Sequence, residues 1–182
     1  MEERSMANTK HYLTVSLTLG IIASASALLI AGANLLTEKQ IAQNEENSIK
    51  TGIRFIFKGA EIKSETAIDN KDYEYVNYVY EVDYVNEDDE ESHGYAFIAS
   101  GKNMYGKITL IAGFRENGDF VQMKTIVNEQ TYTKEVEKFV YDVGEGNRQI
   151  DDVSCGATYG AKLVRDMYKE AQKASQEKVW QK

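Results

Sequence analysis

The chain has 182 residues, 42% of them hydrophobic, and its 29 acidic against 21 basic residues give a net charge of −8. That is enough chain for one modest domain plus an anchor, and the acidic balance argues against nucleic acid as a partner. Cys155 is the sole cysteine and His11 and His93 the only histidines, which excludes an intrachain disulfide, a Cys-x-x-Cys redox pair, and any iron–sulfur cluster or structural zinc held by this chain alone. If the protein passes electrons, an organic cofactor has to carry them.

Residues 1–10 read as a short N-terminal tail. Residues 11–37 contain no Asp, Glu, Lys or Arg. As a helix they would reach roughly 40 Å, more than the roughly 30 Å of a hydrocarbon core, so a transmembrane helix is predicted there. The span is rich in small residues (Ala23, Ser24, Ala25, Ser26, Ala27, Ala31, Gly32, Ala33), which let a neighbouring helix approach closely. A cleaved signal peptide is the competing reading, because Ala31-Gly32-Ala33 resembles a cleavage site. The apolar run exceeds a normal signal core, so it is read as an anchor. Arg4 and Lys10 precede it, and Lys39, Lys50 and Arg54 follow. That near tie leaves the orientation undecided by charge.

Residues 38–60 read as a juxtamembrane helical linker. Ile41, Ile49, Ile53, Ile56 and Phe57 recur at three- and four-residue steps from Thr37 to about Lys58. Thr37 with Gln40 suggests a capping box that opens a second helix at the membrane surface, and Gly59 suggests its stop.

Residues 61–182 read as one α+β domain, an antiparallel sheet flanked by helices. Tyr78, Tyr80, Val82 and Tyr84 alternate with Asn77, Val79, Glu81 and Asp83, a period of two that puts the first set on the buried side. The run Glu87-Asp88-Asp89-Glu90-Glu91 is a solvated turn. Residues 94–100, 106–114 and 120–127 follow as strands, the last two joined by a hairpin at Glu116-Asn117-Gly118-Asp119. Three or four short strands with tight turns imply an antiparallel sheet. Thr131 or Thr133 caps a short helix through about Asp142, broken by Gly144 and Gly146. A final helix runs from Tyr159 to about Trp180, with Leu163, Val164, Met167, Tyr168 and Ala171 forming one apolar stripe.

The shaped position is Asp151-Asp152-Val153-Ser154-Cys155-Gly156-Ala157-Thr158, directly before that helix. Thr158 reads as its N-cap, and the unpaired amides of a first helical turn suit either a cap or a phosphate. Ser92-His93 gives no triad by adjacency, and Cys155 has no evident partner base. No catalytic constellation and no metal-ligating set stands out.

The Asp-x-x-(Ser/Thr)-Gly-Ala-Thr pattern before an amphipathic helix resembles the flavinylation motif of the FMN-binding domain family. That domain occurs in the G subunit of the Rnf complex and the C subunit of the Na⁺-translocating NADH:quinone reductase. The lead-in "NLLTEKQIAQNEENSIKTGIRFIFKGAEI" and the run "GYAFIASGKNMYGKITLIAGFRENGDF" are similar to the G subunit as well. Gly156 and Ala157 match the motif, Cys155 replaces its Ser or Thr, and Gly160 stands where a second hydroxyl residue is common. The family's Glu-Thr-Pro-Gly-Leu-Gly loop is replaced by Glu129-Gln130-Thr131-Tyr132-Thr133, without proline or glycine.

The resemblance implies that Thr158 carries FMN through a phosphoester bond, and that Asp152 belongs to the recognition sequence of a flavin transferase. Gly156 and Ala157 would leave room for the phosphate, with the amides of Tyr159 and Gly160 and the Lys162 side chain around it. Tyr105-Gly106 and Gln130-Thr131 would contact the isoalloxazine or ribityl chain. It further implies an electron-relay subunit of an Rnf-type ferredoxin:NAD⁺ oxidoreductase coupled to Na⁺ or H⁺ translocation. Its partners would be the A, B, C, D and E subunits, above all the membrane-embedded D, A and E, together with membrane lipid. The protein would span the cell (inner) membrane once, with its N-terminus inside and the domain on the extracytoplasmic side. The alternative is a cofactor-free extracytoplasmic adaptor that keeps the same fold.

Overall fold

The computed structural model describes residues 2–69, 71–86 and 88–178, without the side chains of residues 2–11, Lys39 and Ala42. Trp180, the expected end of the last helix, and Glu87 of the acidic turn lie outside the described residues. The chain divides into two compact units, Met1–Glu46 and Asn47–Lys182. One unbroken helix, α1 (Glu2–Ile56), runs through both. It is the one helix among the described residues that is long and apolar enough to cross a membrane. Its apolar part is exposed: Leu13, Leu17, Leu28, Leu29 and Leu36 are all at least 63% exposed. Thr18 donates its hydroxyl to the Thr14 carbonyl (2.8 Å), which satisfies a polar group inside an apolar run.

Thr37 does not open a second helix. Its Oγ1 donates to the Ala33 carbonyl at 2.7 Å, so it bonds backward within α1 as a mid-helix threonine does. The predicted stop is found: α1 ends at Ile56 and Gly59 follows with φ +70°.

Five strands form a meander in chain order, every neighbouring pair antiparallel: β1 (Glu61–Ala67), β2 (Val76–Val85), β3 (Glu91–Asn103), β4 (Gly106–Arg115) and β5 (Phe120–Asn128). Two helices follow, α2 (Thr133–Gly144) and α3 (Thr158–Glu177). The fold is α+β, as expected. Of the strands, β1 is the one that the sequence pattern did not reveal. It is a polar edge strand with no fully buried residue, so it carries no hydrophobic alternation to read.

Both faces of the sheet are covered. On one face Phe97, Leu110, Ala112 and Phe114 pack against Val136 and Phe139 of α2 and against Val164 and Met167 of α3. On the other, Tyr80, Val82, Tyr84, Ala96 and Ile111 pack against Ile53, Ile56 and Phe57 at the end of α1. The apolar stripe predicted for the last helix is therefore the stripe that lies on the sheet. The expected one-sided burial of β2 is corrected: Val79, assigned outward, is fully buried beneath the helices, and Tyr78, assigned inward, is 41% exposed. An antiparallel strand with one polar face would alternate cleanly; a strand covered on both sides does not.

Candidate functional site

The site is assembled from three places that the meander brings to one end of the sheet. These are the β3–β4 turn, the segment leading from β5 into α2, and the start of α3. At the β3–β4 turn Gly106 takes φ +136°, and a Cβ there would stand 2.2 Å from the Glu129 carbonyl oxygen. Only glycine lets the turn pass so close to the chain leaving β5.

The segment after β5 is pinned by its own polar side chains. Asn128 Nδ2 donates to the Thr133 carbonyl (3.1 Å), Asn128 Oδ1 accepts from the Gln130 amide (3.2 Å), and Thr133 Oγ1 donates to the Gln130 carbonyl (2.7 Å). Neither Thr131 nor Thr133 caps α2; Tyr132 holds the N-cap position with no side-chain cap bond. Gln130, only 5% exposed, reaches across to the turn, its Nε2 donating to Asn103 Oδ1 (3.0 Å) and to the Gly106 carbonyl (2.5 Å). Asn103 completes the tie by accepting from the Tyr105 amide (2.8 Å) and donating to the Tyr159 carbonyl (3.3 Å).

The lead into α3 is a chain of short turns. The amides of Asp152, Val153 and Cys155 donate to the carbonyls of Gln149 (3.1 Å), Asp151 (3.0 Å) and Val153 (2.8 Å). Asp152 Oδ1 accepts from the Ser154 amide (3.3 Å), and its Oδ2 lies 3.6 Å from Arg148 Nε. Thr158 is not the N-cap. That position is Ala157, with φ −121° and ψ 50° and no side-chain cap bond. Thr158 is the first helical residue, exposed, and its Oγ1 donates to the Cys155 carbonyl at 3.2 Å. The amides of Thr158, Tyr159 and Gly160 precede the first intrahelical bond, Ala161 to Ala157 at 3.0 Å, and so form the unpaired, positive end of the helix.

These parts enclose a cavity of about 250 Å³ lined by Tyr105, Gln130, Tyr132, Gly156, Ala157, Thr158, Tyr159 and Gly160. Its volume lies just below the ~300–1,000 Å³ range of small-molecule sites, which suits one end of a larger ligand. The lip is aromatic: Tyr105, Tyr132 and Tyr159 are 36%, 53% and 59% exposed, and the rings of Tyr105 and Tyr159 are 5.6 Å apart at 40°. Large exposed rings beside an open helix N-terminus offer flat apolar faces and amide donors together.

Seven of the residues singled out in the sequence thus line one cavity. Gly106 stands behind it through the Gln130 bond. Cys155 is half-buried against the core and contributes its carbonyl, not its thiol. Asp152 is occupied by the turn, Thr131 is exposed and not part of the cavity lining, and Lys162 Nζ lies over the Tyr159 ring, 5.9 Å from its centre. Tyr132 and Asn103 were not anticipated. Nothing in their local pattern marks them, because the tertiary fold creates the contacts that matter.

A larger hollow, about 700 Å³, lies at the opposite end of β3 and is lined among others by Asp83, Ser92, His93 and Arg115. His93 Nδ1 bonds Asp83 Oδ1 at 2.7 Å, and Lys63 Nζ lies 3.1 Å from Asp83 Oδ2. His93 and Lys63 together hold the Asp83 carboxyl below the usual range. Among the described residues Ser92 makes no bond to His93, so no nucleophile–base pair forms there.

No curated protein matches the chain. A family match covers residues 6–51 and stops before the sheet, so the cavity is judged on its own residues. Residues 6–51 are similar to the RnfG N-terminal region, and that match supports the RnfG assignment for this stretch.

Proposed function

We propose that the chain is the membrane-anchored flavoprotein subunit of an Rnf-type ferredoxin:NAD⁺ oxidoreductase, with FMN esterified through its phosphate to Thr158 Oγ1. The observation that carries the reading is the exposed Thr158 hydroxyl on the wall of a cavity with an aromatic lip, next to three unpaired helix amides. The cavity fits the group in parts. The amides of Tyr159 and Gly160 face the negative charge of a phosphoester. Gly156 leaves the backbone open, since a Cβ there would meet nothing closer than Glu135 Cγ at 3.5 Å. The three tyrosines supply faces for a flat ring. When bound, FMN would supply the electron-carrying chemistry that the side chains of this chain lack. The chain's own residues bind it, orient it and limit its contact with water.

In this reading the helix of residues 11–37 holds the domain beside the A, D and E subunits in the cell membrane. The domain stands on the extracytoplasmic side, and the complex with its B and C subunits couples electron flow to Na⁺ or H⁺ translocation. The replaced loop at Glu129–Thr133 is the feature that favours a cofactor-free adaptor. Against it, that segment still reaches the cavity, through Gln130 and Tyr132.

Co-expression with a flavin transferase, denaturing electrophoresis and ultraviolet imaging separates the two. The proposal expects a fluorescent band for the wild type and none for Thr158→Ala. A dark wild-type band would favour the adaptor, and a fluorescent Thr158→Ala band would move the attachment to another residue.

A further inference from the structure

Gln130 is nineteen-twentieths buried, and its two amide ends have unequal fates. Nε2 is fully engaged, donating to Asn103 Oδ1 at 3.0 Å and to the Gly106 carbonyl at 2.5 Å. A backbone carbonyl has no proton to give, so the nitrogen has to sit on that side and the amide cannot be turned over. Oε1 therefore points the other way, toward Gly160, 3.3 Å from where a Cβ on that residue would stand. Among the described residues no donor reaches Oε1. Gln130 and Gly160 both line the cavity. Oε1 is not among the enclosed atoms that lack a partner, so water reaches it in the free protein, and a ligand that covers it has to bring an N–H in place of that water.

We infer that Gln130 selects the ring: its Oε1 accepts a hydrogen bond from the N–H on the edge of a planar imide heterocycle held against the tyrosine lip. The inference rests on the flavin reading for the identity of the heterocycle, since the isoalloxazine presents such an N–H between two carbonyls. It goes beyond that reading by assigning specificity to a side chain other than the point of attachment, on a different segment of the chain. Tyr105 and Tyr159 supply ring faces but little discrimination, because stacking accepts any flat group. A directional acceptor discriminates, since a ring without the N–H leaves Oε1 buried and unmatched.

The test uses the full-length protein, made without the flavin transferase and kept in detergent. Lumiflavin, the ring system without its phosphate chain, is titrated by fluorescence quenching beside the analogue methylated at the imide nitrogen. The expected result is that lumiflavin binds and the methylated ring binds about tenfold more weakly or worse. Gln130→Met is expected to bring lumiflavin down to the level of the methylated ring. Equal binding of the two rings by the wild type, or no saturable binding of lumiflavin, would overturn the inference. So would a folded Gln130→Met that still discriminates. If Gln130→Met fails to fold, the wild-type comparison alone decides. Attachment is read separately: a fluorescent gel band with no discrimination removes the role of Gln130 and leaves Thr158, while discrimination with a dark band does the reverse.

Discussion

Gly160 shows how little room the cavity wall has. A Cβ there would lie 2.5 Å from Val136 Cγ2 and 3.3 Å from Gln130 Oε1. Gly160→Ala is expected to destabilise the domain by about 1–3 kcal/mol, the usual cost of overpacking, as measured by the midpoint of denaturant unfolding. It should also weaken ring binding, because the methyl group crowds the acceptor. An unchanged midpoint would mean that α2 shifts freely, contrary to the packing of Val136. Tyr73 gives a second test at this scale. Burial, and then its hydroxyl bond to Glu177 (2.7 Å), push its ionisation well above the ordinary value of 10.0. The unfolded chain ionises first as pH rises, so this contribution is intact below about pH 10 and declines above it. Tyr73→Phe should therefore be less stable than the wild type at neutral pH, and the gap should narrow above pH 10 in urea melts.

At the scale of elements, the end of α1 sits on a pad of glycines. A Cβ at Gly113 would lie 2.4 Å from Ile56 Cγ2, and one at Gly94 2.9 Å from Phe57 Cε1. Gly113→Val should loosen this seat by about 1–3 kcal/mol. Hydrogen exchange should then quicken at the Phe57 amide, which bonds the Ile53 carbonyl at 2.8 Å, and leave α3 protected. Uniform acceleration through α3 would instead show that the two sheet faces open together. The helices and strands β2 to β5 were legible from their hydrophobic patterns and turn signals. Three kinds of feature escaped. The edge strand β1 has no buried stripe to announce it, and Val79 belongs to a face whose cover comes from helices far along the chain. The caps escaped for a local reason: Thr37, Thr133 and Thr158 all turn their hydroxyls to backbone carbonyls, a choice that the residue type leaves open.

Across the whole molecule, the exposed apolar stretch of α1 and the acidic remainder call for different solvents. The wild-type chain is expected to sediment with membranes and to stay there after an alkaline carbonate wash, since about twenty apolar residues suffice for stable insertion. Release by the wash would contradict a spanning helix. In the candidate site the sequence supplied Thr158 with its small neighbours and, through the resemblance, Tyr105 and Gln130 on the wall opposite, but neither Tyr132 of that wall nor Asn103, which holds Gln130 in place. Periodicity carries no information about such meetings; the register of β3 with β4 and of β4 with β5 does. The central claim is that one hydroxyl at the start of α3 carries the cofactor, and the tryptic fragment Gln149–Lys162 contains it. Mass analysis of that fragment from the assembled complex should show it heavier by FMN less one water, with fragmentation assigning the addition to Thr158. An unmodified fragment from a complex that transfers electrons would contradict the account.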